Sequence, residues 1–448
     1  MYNHLDTNTT IVAPATAAGG AVMVVRLSGP KAIEIADRLF RGRQRLADAD
    51  GYTLHYGRIV DTDNIVVDDV VVALFRAPHS YTGDDTVEIT LHGSEYITSE
   101  VLRLAIDQGA VMAMPGEFTR RAFLAGKMDL SRAEAVADII ASDSRWSHRV
   151  ASTQMRGGYS EKLGELREEL LRLCSLLELE LDFSEEDVEF ADRTSLRTTL
   201  DDIASQIDAL ISSFTLGNAL KNGVNVAIIG RPNVGKSTLL NALVEEDRAM
   251  VSDIAGTTRD TIEATTTIDG VRYRFVDTAG IHSTDDRLEQ MGIDRTHRAI
   301  ANAAVILHLA AADNPEFEEV DYKPEQHYIR VVNKIDTATI AHSDSEVVYI
   351  SAKSGFGIDT LRNRLSATVD TSQIGTGSVV VSNMRHYAAL REAYNALMSA
   401  RTAMDMGLPS DLLSEDIRQV LHHLGEITGA ITSDDILQSI FSKFCIGK

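Results

Sequence analysis

Long apolar runs are missing from this 448-residue sequence. None approaches the roughly eighteen residues that a membrane-crossing helix needs, so no membrane span is expected. Cysteine is nearly absent, with only Cys174 and Cys445. That excludes a disulfide framework and points to a reducing, cytoplasmic compartment. The first residues, Met1-Tyr2-Asn3-His4-Leu5-Asp6, hold no basic stretch followed by an apolar one, so no secretory signal is expected. Cys445-Ile446-Gly447-Lys448 lacks the aliphatic residue and the usual last residue of a prenylation box, so lipidation is not expected either. Positive charge is in short supply. Lys and Arg number 43 against 66 Asp and Glu, a net charge of -23. A generic nucleic-acid binder carries a basic footprint, so the chain as a whole is not one, while a local patch stays open. Seven acids fall within the twelve residues from Glu178 to Glu189, which read as a solvated helix face or loop.

Proline is absent between Pro115 and Pro232. Within that gap Leu163, Leu166, Leu170, Leu173 and Leu177 alternate spacings of three and four, one apolar stripe on a long helix. Leu200, Ile203, Ile207 and Ile211 repeat the pattern within a helix expected over 195–214. Earlier residues differ in character. Ala21 to Leu27, Val66 to Phe75 and Val87 to Leu91 read as strands, and Ser94 to Gln108 as a helix. The division expected is 1–125 as an α+β domain, 126–217 as the first half of a helical domain, 218–374 as an inserted module of alternating strands and helices, and 375–448 as the second helical half. Gly375-Thr376-Gly377-Ser378 reads as the linker out of the insert.

The insert carries the chemistry. Gly230-Arg231-Pro232-Asn233-Val234-Gly235-Lys236-Ser237-Thr238 fits G-x-x-x-x-G-K-[ST] at every specified position. It follows an apolar strand pattern, Val224 to Ile229, and opens a helical one, Thr238 to Leu243. Glycine lets backbone amides turn around phosphate oxygens, Lys236 reaches the terminal phosphates, and Ser237 suits Mg2+. Asp277-Thr278-Ala279-Gly280 closes a further strand, entered through an Asp269-Gly270 turn. An aspartate there holds the metal through water, and a glycine amide senses the γ-phosphate. Between them lies Ser252-Asp253-Ile254-Ala255-Gly256-Thr257-Thr258, where Thr258 is the candidate to close onto Mg2+. Asn333-Lys334-Ile335-Asp336 follows another strand. Guanine offers two neighbouring N–H donors on one edge, and the Asp336 carboxylate accepts both, whereas adenine would leave it unpaired. Ser351-Ala352-Lys353 supplies the partner loop at the base. Motifs in this order, at carboxyl ends of strands, imply a GTP site. The fold class expected is multidomain α/β: an α+β N-terminal domain, a discontinuous all-α domain, and an inserted Ras-like P-loop GTPase domain with a mostly parallel sheet. Ile281 follows the Asp277 motif where Ras-type GTPases carry a water-orienting glutamine, so water must be positioned otherwise.

Over almost its whole length the sequence resembles the MnmE (TrmE) family of tRNA modification GTPases. The specific marks are Arg26-Leu27-Ser28-Gly29-Pro30, Ala77 to Gly83, Gly116 to Phe123, Gly126 to Leu130, Gly256 to Asp260 and Phe444 to Lys448. The resemblance implies a homodimer built through the N-terminal domain, which binds 5-formyltetrahydrofolate or another one-carbon tetrahydrofolate at positions matching Arg26, Glu88, Lys127 and Lys448. It implies a GTPase stimulated by K+, with Asn233, Ser252, Ile254 and Thr257 at the cation and Glu289 orienting water. It also implies action with a flavin-dependent, MnmG-type subunit on tRNA, adding a carboxymethylaminomethyl-type group at carbon 5 of wobble uridine. Cys445 then reads either as a modification thiol or as a tail cysteine of no consequence. Ser252 replaces the family's threonine, His282 replaces an arginine, and the turn at Gly19-Gly20 is one residue short. An Era-like ribosome-assembly switch is the alternative. It requires a basic C-terminal RNA-binding domain with a G-x-x-G loop, and residues 376–448 are acidic and lack that signature.

Overall fold

A computed structural model describes residues 8–182, 193–244, 263–277, 297–338, 344–373 and 378–448. The chain divides into two compact units, one of residues 1–137, 160–167 and 421–448, the other of 138–159 and 168–420. Most of the expected 375–378 linker lies outside the described residues.

In the first unit β1 (Ile11–Pro14), β2 (Val22–Ser28), α1 (Ala32–Leu39), β3 (Phe40–Gly42), β4 (Thr53–Val60), β5 (Val66–Phe75), β6 (Thr86–His92), α2 (Glu95–Asp107), β7 (Val111–Met112) and α3 (Glu117–Leu124) follow in turn. The seven strands form one sheet, ordered β3-β4-β5-β6-β2-β1-β7. Alternation explains its sidedness: along β5, Asp68, Val70, Val72 and Leu74 are buried and their neighbours are not. Valine and isoleucine favour that pleated, half-buried surface. Helix α2 starts because the Ser94 hydroxyl accepts from the Ile97 N–H.

Helix α3 is fixed by charge as well as packing. The Arg121 guanidinium, 2% exposed, donates to Glu117 Oε1 at 2.8 Å, to the Thr9 carbonyl at 2.7 Å and to the Thr9 hydroxyl at 3.1 Å. Glu117 Oε2 in turn accepts the Met114 N–H at 2.8 Å. Both charges are therefore satisfied while out of water, the condition under which a buried pair persists.

Helices α4 (Leu130–Ala141), α5 (Arg145–Met155), α6 (Gly158–Asp182), α7 (Arg193–Ser212) and α8 (Phe214–Asn222) come next. The five leucines of the α6 stripe are all buried, as their spacing requires. The expected helix to residue 214 is corrected. It ends at Ser212, because the Ser213 hydroxyl donates to the Leu210 carbonyl at 2.6 Å and accepts the Val381 N–H at 3.0 Å, competing with the helical ladder. Leu196 and Leu210 are buried along with Leu200, Ile203 and Ile207, while Ile211 is only half-buried.

The second unit holds β8 (Val224–Gly230), α9 (Lys236–Val244), β9 (Glu263–Ile268), β10 (Val271–Asp277), β11 (Val305–Ala311), β12 (His327–Asn333), β13 (Val347–Tyr349), α10 (Ile358–Ser366) and α11 (Met384–Asp405). Its sheet runs β13-β12-β11-β8-β10-β9, parallel throughout except for β9. Every residue of β11 is buried, as expected of a central parallel strand. The β9–β10 turn uses positive φ at both Asp269 (51°) and Gly270 (79°), the backbone a two-residue hairpin demands. Helix α7 runs along α11, with Arg197–Asp405 at 2.7 Å and Arg401–Asp201 at 3.0 Å. Helices α12 (Ser410–Thr428) and α13 (Asp434–Phe441) complete the chain. In the first unit Phe441 and Phe444 join Leu130 and Ala133 in one apolar cluster.

Arg121→Ala would leave Glu117 charged, buried and short of a partner. We expect a loss of about 3–5 kcal/mol in denaturant unfolding. Arg121→Met combined with Glu117→Gln is expected to lose less than the single substitution. Equal or larger loss in the double variant would remove the ion pair as the reason.

Candidate functional site

The loop after β8 is shaped by two close approaches. At Gly230 (φ 140°) a Cβ would lie 2.2 Å from the Leu309 carbonyl oxygen. At Gly235 (φ 97°) it would lie 2.3 Å from Asn333 Nδ2. Only glycine fits either position. Asn233 between them takes φ 64°, a conformation asparagine tolerates. The Lys236 ammonium folds back over the loop, donating to the Gly230 carbonyl at 2.6 Å and the Arg231 carbonyl at 3.0 Å. Ser237 and Thr238 are exposed in the first turn of α9, and Val234 is buried behind them. A helix amino end with a cation curled over the loop suits a polyphosphate, and the Ser237 oxygen suits a hard divalent cation.

The base side is assembled at the ends of β12 and β13. Asn333, 2% exposed, donates from Nδ2 to the Val234 carbonyl at 2.9 Å and accepts the Ala352 N–H on Oδ1 at 2.9 Å. One amide thus ties the phosphate loop to the Ser351-Ala352-Lys353 loop. Asp336 is exposed, with Oδ1 accepting from the buried Ser351 hydroxyl at 2.6 Å. That bond, with Lys353 and Lys334 nearby, holds the Asp336 carboxyl below its usual range, so it is ionised and ready to accept. Lys334 sits at φ 65° and its carbonyl accepts the Thr337 N–H at 3.0 Å, which turns the chain so that Asp336 meets Ser351. The arrangement fits guanine: a carboxylate fixed in orientation by one oxygen beside a rigid loop.

Asp277 closes β10, opposite Ile228 of β8. Ser252, Asp253, Ile254, Ala255, Gly256, Thr257, Thr258, Thr278, Ala279, Gly280, Ile281, His282 and Glu289 lie outside the described residues.

Two features at this site carry no sequence motif. Arg231 Nε donates to Glu318 Oε1 at 2.8 Å, across the phosphate loop. Behind the loop a cavity of about 200 Å3 is lined by Asn233, Lys334 and the buried His308. His308 Nδ1 meets the Tyr328 hydroxyl at 2.6 Å, and its ring stands edge-on to Phe317. Burial pushes the imidazole below its ordinary value of 6.5, against the opposing pull of Glu318.

The second candidate set lies in the first unit. Arg26 on β2 and Glu88 on β6 are register partners, and their side chains pair at 2.8 Å. Arg26 also donates to the Gly447 carbonyl at 3.2 Å, and its guanidinium lies over the rings of Tyr81 and Phe118 at 5.8 and 5.5 Å. Gly447 approaches β1 so closely that a Cβ would sit 2.0 Å from the Pro14 carbonyl oxygen. The Lys448 N–H donates to the Cys445 carbonyl at 3.4 Å. Cys445 itself is exposed. Lys127 donates to the Pro78 carbonyl, on the loop that also presents Tyr81. Arg26, Glu88 and the 445–448 segment therefore meet, with Lys127 one loop away. A guanidinium backed by two rings fits a flat, acidic ligand. Tyr81 and Phe118 fall within the 77–83 and 116–123 marks, but nothing in their spacing sets them apart from core aromatics.

Among the described residues no group of His, Cys, Asp and Glu could by itself hold a metal ion. No helix among them is long and apolar enough to cross a membrane.

Comparison with known proteins adds the following. The family model of the MnmE helical domain matches residues 130–445, and that of the GTP-binding protein TrmE N-terminus matches residues 10–127. The tRNA modification GTPase MnmE of Cytophaga hutchinsonii is 48% identical over 460 residues, covering 100% of this chain and 99% of that relative. That of Bacteroides fragilis is 48% identical over 462 residues, covering 98% and 99%. A solved structure of Aquifex aeolicus Era bound to GDP and aluminium fluoride matches 39% of this chain and 66% of its own at 29% identity, with a TM-score of 0.26, too low to argue from.

Gly235→Ala forces its new methyl into Asn333 Nδ2. Guanine-nucleotide affinity is expected to fall about tenfold or more, with far-ultraviolet circular dichroism unchanged. Wild-type affinity in this variant would mean that the loop has slack it is not built with.

His308 titrates with a depressed folded pKa. Its contribution to stability is full above about pH 6.5 and is lost as pH falls below that value. The stability gap between the wild type and His308→Phe is therefore expected to narrow between pH 7.5 and 5.5. Parallel pH–stability curves for the two would contradict a buried neutral imidazole.

Proposed function

This chain belongs to the MnmE family of tRNA modification GTPases, and on that premise we propose that it hydrolyses GTP in the service of tRNA modification. The observation that carries the reading is the Asn333 tie between the phosphate loop and the base loop, with Asp336 ionised beside Ser351. Asp336 reads guanine through its carboxylate. Gly230, Asn233, Val234, Gly235, Lys236, Ser237 and Thr238 hold the phosphates, with Asp253, Ala255, Gly256, Asp277, Thr278, Ala279 and Gly280 around them. Lys334, Ala352 and Lys353 flank the base. Ser237 and Thr258 hold Mg2+, which when bound neutralises charge on the phosphate oxygens. Glu289 orients water in place of the glutamine that Ile281 replaces.

Potassium is held by Asn233 with Ser252, Ile254 and Thr257, a set of oxygens suited to a hard monovalent cation. Asn233 is exposed on the loop, which leaves its side-chain oxygen accessible to a cation and supports that assignment. The same reading takes 1–125 as the dimerising and folate-binding domain, 218–374 as the GTPase insert, and 126–217 with 375–448 as the helical domain. A one-carbon tetrahydrofolate lies against Arg26, Glu88, Lys127 and Lys448, supported by the Arg26–Glu88 pair and its two flanking rings. A flavin-dependent subunit is the partner, carbon 5 of wobble uridine the position modified, Cys445 a thiol of that chemistry, and the cytoplasm the compartment.

Asp336→Asn removes the acceptor pair for guanine. GTP affinity is expected to fall about tenfold or more. Affinity for xanthosine triphosphate, whose 2-oxo group matches an amide donor, is expected to rise. Unchanged GTP preference would count against the assignment. Steady-state turnover is expected to be faster in potassium than in sodium at equal ionic strength, and equal rates would remove the cation from the mechanism. For the pathway itself, tRNA nucleosides of a deletion strain are expected to lack the wobble modification and to regain it with the wild-type chain. A normal nucleoside profile in the deletion strain would overturn the reading.

A further inference from the structure

The second unit contains a cavity of about 240 Å3 that belongs to neither site above. Its walls come from α4, α5, α8, β10 and the stretch before α11. Lys221, Arg272 and Arg274 line it, against a single lining carboxylate, Asp138. Lys221 pairs with Asp138 at 2.7 Å, and Arg272 pairs with Asp143, which is not part of the lining. Three basic side chains thus meet at the cavity, two of them paired with carboxylates, in a protein that is otherwise strongly acidic.

Ser382 is the residue that a purely structural role does not explain. It lines the same cavity, is 3% exposed, and its hydroxyl has no hydrogen-bond partner. A buried hydroxyl left unpaired costs free energy, and native proteins rarely keep one without a reason. Its place is not slack. The preceding Val381 N–H donates to the Ser213 hydroxyl at 3.0 Å. Gly217 lets the chain pass so closely that a Cβ there would be 2.2 Å from the Val381 carbonyl oxygen. The stretch is therefore pressed against α8 and holds the Ser382 hydroxyl at the cavity wall.

We propose that this cavity binds a small oxyanion of the phosphate class. Two guanidiniums and an ammonium recognise phosphate oxygens, and a hydroxyl without a partner is free to donate to one of them. The volume admits inorganic phosphate or a small phosphomonoester, not a nucleotide. The inference rests on this cavity alone and stands apart from the GTPase reading.

The test uses the full chain saturated with Mg2+ and a non-hydrolysable GTP analogue, so that the phosphate loop is filled. Inorganic phosphate and glycerol 3-phosphate are titrated separately by calorimetry. Saturable binding of at least one is expected, weakened about tenfold by Arg274→Gln and by Ser382→Ala. It is expected to be unaffected by Arg26→Gln, which excludes the anion-binding groups of the other unit. Comparable binding of both probes identifies the free anion as sufficient, and binding of the ester alone identifies a phosphomonoester; either supports the site. Ser382→Ala deletes only an unpartnered hydroxyl, so it is expected to melt at or above the wild type in phosphate-free buffer. It keeps the test decisive even where Arg274→Gln unfolds. No saturable binding of either probe, or binding that survives both substitutions, or a lower melting temperature for Ser382→Ala, overturns the proposal.

Discussion

One side-chain amide holds the nucleotide site together. Asn333 spends its donor on the phosphate loop and its acceptor on the base loop, at 2.9 Å in each direction, while shielded from water. Both loops leave the carboxyl ends of parallel strands, β8 and β13, which β11 and β12 separate in the sheet. Backbone pairing within the sheet does not reach across them. The amide does, and its two bonds are worth most where the surroundings are dry. Around it stand Lys236 over the Gly230 and Arg231 carbonyls, Asp336 against Ser351, and Ser237 at the opening of α9.

The requirement for glycine follows from the same contact. Gly235 is confined by Asn333 Nδ2 itself, and Gly230 by the Leu309 carbonyl oxygen one strand over. The loop is clamped from behind by polar groups of its own sheet, which leaves its front amides for phosphate. Arg231 reaching Glu318 adds an exposed ion pair that contributes little to stability. The other unit applies a comparable economy. Register brings Arg26 opposite Glu88, two aromatic rings back the guanidinium, and the 445–448 segment folds against β1 through Gly447.

Much of this was legible because it is periodic or local. Val66 to Phe75 reads as a strand from its alternation, and it is one over those residues. The leucine stripe of α6 and the parallel sheet of the insert follow from spacing in the same way. The phosphate loop and the Asn333-Lys334-Ile335-Asp336 segment are recognisable because their chemistry fixes residue types at adjacent positions. What sequence leaves out is contact between distant residues. Nothing near Asn333 reveals that its amide reaches Val234, nothing near Ser213 shows that Val381 claims its hydroxyl and stops α7, and the Arg26–Glu88 pairing exists only once β2 lies on β6. Ser382 looks like one serine among many until a cavity is seen around it.

The central claim is that this site reads guanine through a carboxylate. Inosine keeps the ring N–H of guanine and lacks only its exocyclic amino group, so it removes one of the two donors proposed to meet Asp336. The direct measurement is the affinity of the unmodified full chain for GDP and for inosine diphosphate, titrated side by side at fixed Mg2+ and salt. The account predicts that GDP binds more tightly by about tenfold or more, the worth of one hydrogen bond to a charged group. Equal affinity for the two would contradict it.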